Sequence, residues 1–509
     1  MKLSLLLQDC VAPWERRVAP AVDPEADPEI RSIHSRAQDV KPEGLFIAVK
    51  GFSADGHDFI DTAFANGAAA VIAEKDGYAD KRIVQVKNTR KSMAAIAARF
   101  FGNPSEQLFL NGITGTNGKT TVTWLTESIF KAAGFNTGVI GTINVRYNGS
   151  TYETPVTTPD SPELQRILAD MVQSGVTHVI MEVSSHAVDL SRIDHCSFNT
   201  GVFTNLSQDH LDYHNTMKAY WRCKKDFFTK ILQPRNSKNP GCAVINTDDV
   251  KGKELAARLA PPVLTTGLDS DADITCRDIT DNISGIAATL VVGDTSVKIG
   301  SPLTGRFNIE NILSAAGAAR AAGISPDAIK KGIEACTAIP GRLERIDNTQ
   351  DRFVFVDYAH TPDALASILE ILSNRAENRL ITVFGCGGDR DPSKRPLMAK
   401  AASKQSDIVI VTSDNPRSED PEKIIDEILP GIDNSIEKEN VIVEPDRAKA
   451  LDLAVRISKE KDTIVAAGKG HETYQIIKSG RIDFDDRRIL QQALEKMAED
   501  AGKVADGAH

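Results

Sequence analysis

The 509-residue chain has no apolar run approaching the length of a bilayer span, so no membrane-crossing helix and no membrane partner are expected. Its N-terminal apolar run, Leu3 to Leu7 with Ser4 inside it, stops at Gln8 and Asp9 and is too short for a secretory leader. Cysteine is sparse and scattered. The seven residues, at 10, 196, 223, 242, 276, 336 and 386, form no CxxC pair and no cluster with metal-ligand spacing. That excludes a disulfide scaffold and fits reduced, structural thiols in the cytoplasm. Positive charge is not in excess. With 60 basic and 70 acidic residues the net charge is −10, which argues against nucleic acid as a partner. Internal repeats and low-complexity segments are also absent.

What is present is the composition of a globular protein, 41% hydrophobic and 26% charged, over a length that suggests roughly three domains. The expected fold class is α/β in three domains. These are a small N-terminal α/β domain (1–105), a central P-loop ATPase-like domain with a parallel sheet (106–339), and a C-terminal Rossmann-like domain (340–509).

The first block holds short apolar runs, Leu45–Val49, Ala69–Ile72 and Arg82–Val86, separated by turn-rich loops. The second opens with a strand at Leu108–Thr114, a glycine-rich turn and a helix from about Thr120 to Ala133. Val122, Leu125, Ile129 and Ala132 share one face of that helix. Further strands are predicted at His178–Val183, Thr200–Thr204 and Ala243–Asn246. Their continuous apolar character suits a sheet covered on both faces. The third block alternates helix-like segments with strands at Phe353–Asp357, Leu380–Gly385, Ile408–Thr412, Val441–Val443 and Thr463–Ala467, the pattern of a doubly wound sheet. The residues from Glu499 onward read as a frayed tail.

Chemistry concentrates first at Gly112-Ile-Thr-Gly-Thr-Asn-Gly-Lys-Thr-Thr121. Glycines at 115 and 118 let the backbone turn its amides toward an anion, and the following helix adds its positive end. Lys119 can reach the outer phosphates of a nucleotide, and the Thr120 hydroxyl can ligate Mg²⁺. The usual leading glycine is missing, because position 113 is Ile. Glu182, at a strand end, and His210 fall near the same sheet edge and could help hold a hard cation. His210 and His214 are also spaced i, i+4, but no HExxH pattern or cysteine partner supports zinc. Gly385-Cys-Gly-Gly388 is not GxGxxG, which weighs against a dinucleotide-dependent dehydrogenase.

Thr114-Gly-Thr-Asn-Gly-Lys-Thr-Thr121 resembles the variant phosphate loop of the Mur ligases and their folylpolyglutamate synthase relatives, in which that leading glycine is absent. Met181-Glu-Val-Ser-Ser-His186 and Asp209-His-Leu-Asp-Tyr-His214 are similar to further Mur ligase motifs, and the match runs in order through nearly the whole chain. The resemblance implies ATP and Mg²⁺ as cofactors, with Gly115, Thr116, Asn117, Gly118, Lys119, Thr120 and Thr121 around the phosphates. It assigns the metal to Thr120, Glu182 and His210, and the catalytic set to Lys119, Glu182, His210 and Lys224. Lys224 matches the family's carbamylated lysine (N6-carboxylysine), although composition alone reads it as a solvated helix lysine. The motifs Gly305–Asn308, Pro340–Glu344 and Asp357–Pro362 imply further nucleotide contacts from Asn308, Asn311, Arg342, Asp357 and His360.

The resemblance also implies a UDP-muramoyl-dipeptide substrate held by Ile33, Ser35, Phe52, Ser53, Ala54, Thr157, Thr158, Ser184 and Arg192. Here His34 stands where the family usually has Asp. Asp414-Asn-Pro-Arg417 resembles the motif of members that add meso-diaminopimelate, implying a site of Arg390, Asp414, Asn415, Pro416, Arg417, Gly468 and Glu472. A guanidinium grips the distal carboxylate that lysine lacks, and Glu472 suits an ammonium. The implied activity is ATP-dependent amide formation through an acyl-phosphate, by a cytoplasmic monomer whose partners are small molecules. A lysine-adding or folylpolyglutamate-type ligase, and a nucleotide switch without ligase chemistry, remain the alternatives.

Overall fold

A computed structural model describes residues 1–8, 27–52, 54–233, 240–268 and 271–506, with side chains through Asp500. The chain divides into two compact units. One comprises Met1–Arg277, Thr289–Ile299 and Ile309–Ala335, and the other Asp278–Ala288, Gly300–Asn308 and Cys336–His509.

In the first unit the opening residues form a four-stranded parallel sheet: β1 (Ser32–His34), β2 (Gly44–Ile47), β3 (Ala68–Ala73) and β4 (Ile83–Gln85), in that order. The larger sheet uses β5 (Phe109–Thr114), β6 (Thr137–Ile140), β7 (Val145–Tyr147), β8 (Ser150–Tyr152), β9 (His178–Glu182), β10 (Thr200–Phe203), β11 (Cys242–Asn246) and β12 (Val263–Thr266). The order runs β12-β11-β10-β5-β9-β6-β7-β8, parallel from β12 to β6. It continues beyond β12 through β13 (Ile274–Asn282), β14 (Gly285–Val292) and β15 (Thr295–Ser301). With β9 on one side and β10 on the other, β5 lies where successive connections change side, the place where such sheets bind ligands. Leu110 and Ile113 of β5 are fully buried, and each stabilises the sheet by about 1.5–3 kcal/mol. The helix that follows, Lys119–Ala132, buries Val122, Leu125, Ile129 and Phe130. Truncating Ile113 to Ala would leave a central void costing about 2–5 kcal/mol.

The second unit carries a six-stranded sheet of β16 (Glu344–Ile346), β17 (Phe353–Asp357), β18 (Leu380–Phe384), β19 (Ile408–Val411), β20 (Val441–Val443) and β21 (Thr463–Ala467). Its order is β16-β17-β21-β18-β19-β20, with β16 antiparallel at one edge. The hairpin of β22 (Tyr474–Ile477) and the exposed β23 (Gly480–Asp483) follows, then the helix Asp486–Asp506. That helix continues through the expected tail, consistent with the helix-forming alanines at 498, 501 and 505. Among the described residues no helix is long and apolar enough to cross a membrane.

The strands expected from apolar runs fall within a residue or two at each end, whereas the parallel strands β1, β6 and β12 are not among the expectations. The hairpins β7–β8 and β22–β23 and the β13–β15 segment have no counterpart among the sequence expectations. The hairpin strands are short and carry polar residues such as Arg146, Ser150, Thr151, Gln475, Arg481 and Asp483. Asn148-Gly149 joins β7 to β8 with positive φ at both residues (49° and 76°), the geometry an Asn-Gly hairpin turn selects.

Candidate active site

The phosphate loop leaves the carboxyl end of β5 and enters the helix at Lys119. Gly118 takes φ +85°, and a Cβ there would lie 2.2 Å from Asn311 Oδ1. No other residue type fits that position without a shift. Asparagines brace the loop from the neighbouring strand ends. Thr116 N donates to Asn205 O at 2.9 Å, Asn117 N to Asn205 Oδ1 at 2.9 Å, and Thr204 Oγ1 to Asn117 O at 2.6 Å. Lys119 Nζ folds back onto the loop, donating to Gly115 O (3.0 Å) and Thr116 O (2.7 Å). Thr120 and Thr121 are buried in the first helical turn, whose positive end favours an anion.

Glu182 ends β9 beside this loop, with 1% of its surface exposed. Its Oε1 accepts from Thr142 N (3.0 Å), and its Oε2 accepts from Thr142 Oγ1 (2.8 Å) and Thr120 Oγ1 (3.2 Å). All three donors are neutral. A buried carboxylate held this way, with no ion-pair partner among the described residues, is suited to a cation that arrives with substrate. Thr120 and Glu182 therefore meet. Three His, Cys, Asp or Glu side chains do not converge on a metal anywhere among the described residues. Oxygen donors from Thr120, Glu182, phosphate and water form a set that suits Mg²⁺.

His210 has φ +52° and stands in an aromatic cluster, 5.1 Å from the His186 ring and 6.0 Å from that of Tyr220. Burial, reinforced by the two neighbouring imidazoles, pushes His186 down to about 4. His214 Nε2 bonds Ser185 Oγ at 2.8 Å, giving that ring a structural role and no part in a zinc pair.

Lys224 lies on the helix Met217–Asp226 and is buried, whereas Lys225 is only partly covered. Its ammonium donates to Gly115 O at 2.6 Å and sits 4.5 Å above the Tyr220 ring. Burial first, and the Lys119 charge second, hold its pKa well below the lysine range.

A cleft of about 920 Å³ opens in the first unit, with Ile33, His34, Ser35, Arg36, Asp160 and Arg192 among its walls. Ser35 Oγ donates to Asp160 Oδ2 at 3.1 Å. Arg192 Nη1 donates to Thr158 O at 2.8 Å, and Thr158 Oγ1 to Glu182 O at 2.8 Å, linking the cleft to the backbone of Glu182. Thr157 Oγ1 is 3.0 Å from Thr142 Oγ1. Ser184 caps the helix Ser185–Asp189 through Ala187 N. His34 bonds Ser32 Oγ at 2.8 Å, and burial lowers its pKa. Phe52 is exposed and meets the Tyr213 ring edge-on at 5.6 Å, and Ala54 O accepts from Gly51 N. Ser53 lies outside the described residues. Tyr147 and Tyr152 form a further wall that the sequence reading missed, although the Asn-Gly turn between their strands could have revealed it.

In the second unit, Asp357 ends β17 fully buried, its oxygens accepting from Ala359 N (2.8 Å) and Leu343 N (2.7 Å). Burial raises its pKa against the pull of Arg342. Arg342 lies 5.3 Å over the Tyr358 ring, and His360 Nδ1 is 2.9 Å from Tyr358 O. Asn308 Nδ2 donates to Thr304 O at 2.8 Å. Asn311 belongs to the first unit, against Gly118.

The loops after β18, β19 and β21 converge within this unit. Arg417, at φ +54°, donates Nη1 to Gly388 O at 2.8 Å, and its own amide donates to Ile476 O of β22 at 3.0 Å. Asn415 Nδ2 donates to Glu472 Oε2 at 2.8 Å, and a Cβ on Gly468 would lie 2.5 Å from Asp414 Oδ2. Arg390 donates Nη1 to Asp389 O at 3.0 Å. Pro416 O lies so near Gly388 that a Cβ there would stand 2.0 Å away. Such an arrangement can grip a zwitterion, with a guanidinium for carboxylate and a carboxylate for ammonium.

Family models match three successive segments: "Mur ligase family, catalytic domain" over 29–101, "Mur ligase middle domain" over 113–319, and "Mur ligase, glutamate ligase domain" over 341–470. The chain is 43% identical to the UDP-N-acetylmuramoyl-L-alanyl-D-glutamate–2,6-diaminopimelate ligase of Geobacter metallireducens, across 92% of this chain and 95% of that one. It is 42% identical to the ligase of the same name from Bacillus cereus, across 93% and 96%. A solved structure of a ligase with that name superposes with TM-score 0.68 at 33% identity, covering 92% of this chain and 95% of the other. The MurF ligase of Thermotoga maritima in complex with ADP shares the fold, with TM-score 0.61 at 20% identity over 92% and 98% of the chains.

Proposed function

Because the chain belongs to the Mur ligase family, we propose that it joins meso-diaminopimelate to UDP-N-acetylmuramoyl-L-alanyl-D-glutamate at the expense of ATP. The D-glutamyl carboxylate attacks the terminal phosphorus of ATP, forming an acyl-phosphate and releasing ADP. The amine of diaminopimelate then attacks the acyl carbon, phosphate leaves, and an amide remains.

The phosphate loop, Gly115 to Thr121, holds the nucleotide, and Lys119 swings from the Gly115 and Thr116 carbonyls to the phosphoryl group in transfer. Thr120, Glu182 and His210 are the residues that would hold Mg²⁺, which supplies charge neutralisation at the phosphates. Lys224, whose burial disfavours the charged form, is the amine fit to take up carbon dioxide and become a carbamate. Asn308, Asn311, Arg342, Asp357 and His360 complete the nucleotide contacts. Ile33, Ser35 and Arg192, which line the cleft, hold the muramoyl precursor together with Phe52, Ser53, Ala54, Thr157, Thr158 and Ser184. Arg390, Asp414, Asn415, Pro416, Arg417, Gly468 and Glu472 hold diaminopimelate. We further read the chain as three domains, 1–105, 106–339 and 340–509, acting as a cytoplasmic monomer where ATP and the nucleotide-linked precursor are found.

The observation that carries the choice of amino acid is the convergence of Arg417 and Glu472 through Asn415, whose Nδ2 lies 2.8 Å from the carboxylate. Lysine would leave Arg417 without its carboxylate, and polar sites left unpaired in this way discriminate by about 10⁴-fold or more. An ATP-dependent ligation assay with meso-diaminopimelate and L-lysine, repeated with Arg417→Ala, tests it. The unmutated chain should use only the former, and the variant should lose most of that preference. Equal use of both amino acids by the unmutated chain would refute the assignment.

A further inference from the structure

Lys469 follows Gly468 in the loop after β21, and its side chain is wholly buried. Its ammonium donates to Glu472 Oε2 at 2.9 Å and lies 3.3 Å from Asn415 Oδ1. The rings of Tyr474 and Phe484 close over it, with centroids 5.6 and 5.9 Å away. A buried ammonium is costly unless paired, and here it pairs with two side chains of the amino-acid site. Glu472 Oε2 receives both this bond and the one from Asn415 Nδ2 at 2.8 Å. Asn415 Oδ1 additionally accepts from Ile476 N at 2.8 Å. The three side chains form a closed triangle in which each fixes the other two. Oε1 is the oxygen of Glu472 that makes no bond among the described residues.

We propose that Lys469 is a positioning residue for amino-acid recognition, clamping Glu472 and Asn415 in the rotamers that receive the incoming zwitterion. The proposal rests on the assignment of Glu472 and Asn415 to that site. Lys469 acts through those two side chains, and its removal weakens amino-acid capture while leaving nucleotide capture alone.

The test uses steady-state ligation by the full-length protein, beginning with the unmutated chain and both meso-diaminopimelate and L-lysine. Lys469→Met keeps the buried stem and removes the charge. It should raise KM for the amino acid about tenfold or more, as for a charge-assisted hydrogen bond, with KM for ATP nearly unchanged. Lys469→Arg, which keeps the charge, should recover most of the loss. In a Glu472→Gln background, adding Lys469→Met should change KM by less than threefold, because the charge-assisted bond to the carboxylate is already lost and only the longer contact to Asn415 remains. That pair of variants also decides the matter if Lys469→Met alone fails to fold, since removing both charges leaves neither one buried and unpaired. An unchanged amino-acid KM in Lys469→Met, a parallel rise in both KM values, or a full tenfold effect in the Glu472→Gln background would each overturn the proposal. An unmutated chain that ligates neither amino acid would instead overturn the assignment of the site, and the clamp with it.

Discussion

Lys119 and Lys224 donate to the same acceptor, the carbonyl oxygen of Gly115, at 3.0 and 2.6 Å. Two ammonium groups on one carbonyl repel, and the buried partner yields. Burial first, and the Lys119 charge second, lower the pKa of Lys224. Carboxylation of that amine would turn the repulsion into attraction and free Lys119 for the nucleotide.

Lys224 should therefore carry one carbon dioxide adduct in protein held in bicarbonate at neutral pH, seen by intact mass spectrometry under non-acidic conditions. The sign follows from the lowered pKa, because the neutral amine is populated at a pH where an ordinary lysine is fully protonated. Lys224→Arg keeps a cation that cannot be carboxylated, and its kcat should fall about 10²-fold or more. An unchanged kcat in that variant would refute the role.

Lys119→Met should lower kcat about 10²-fold or more by removing one preorganised donor from the transferred phosphoryl group. Amino-acid KM should move little, because Lys119 donates to the Gly115 and Thr116 carbonyls of the phosphate loop. Steady-state kinetics separates the two quantities, and a loss confined to amino-acid KM would contradict this reading.

Stability should decline as pH falls from about 6.5 toward 4, the span between the unfolded and folded imidazole values. His471 is pushed down to about 4 by burial, then by the Arg342 and Arg487 charges, and His186 also to about 4, chiefly by burial. Below pH 6.5 the unfolded chain takes up protons that the folded rings refuse, so stability present above that pH is lost. The lowered carboxylate Asp55 acts only below its own unfolded value of 3.8, outside this span. The raised carboxylates Glu344 and Asp357 offset part of the loss near its acidic end. Thermal melts at pH 7 and 5 should differ less in His471→Phe than in the unmutated chain, and an equal difference would contradict the assignment.

Arg447 and Asp486 form an ion pair with both side chains fully buried, joined through Nε at 2.8 Å and Nη2 at 2.6 Å. Asp486→Ala strands a guanidinium in the core of the second unit and should cost about 3–5 kcal/mol in urea unfolding. Replacing both residues together by Met and Leu should cost much less, since neither charge is then left alone.

Most of the parallel strands were legible because burial on both faces writes them as unbroken apolar runs, as in Phe353–Asp357 and Thr463–Ala467. The phosphate loop was legible because its glycines answer to backbone geometry, which few sequences satisfy. Lys224 was not legible from its own segment. Its helix shows ordinary polar composition, and only packing against Gly115 buries the ammonium. Lys469 was hidden in the same way, its pairing made by loops 54 residues apart in sequence. The site residues on loops were read from family resemblance, because turn chemistry alone would account equally well for Asp414-Asn-Pro-Arg417.

The hairpin β22–β23 supports the recognition loop from behind, with Ile476 bonding both the Arg417 amide and the Asn415 side chain, while its outer strand is fully exposed. One side of this small ribbon thus braces the recognition loop and the other faces solvent. Substitutions along Gly480–Asp483 could retune the pitch of the guanidinium by fractions of an ångström without touching a single residue that meets the amino acid. Acceptor choice in such a chain is adjustable from outside the pocket, through a strand whose four residues are exposed.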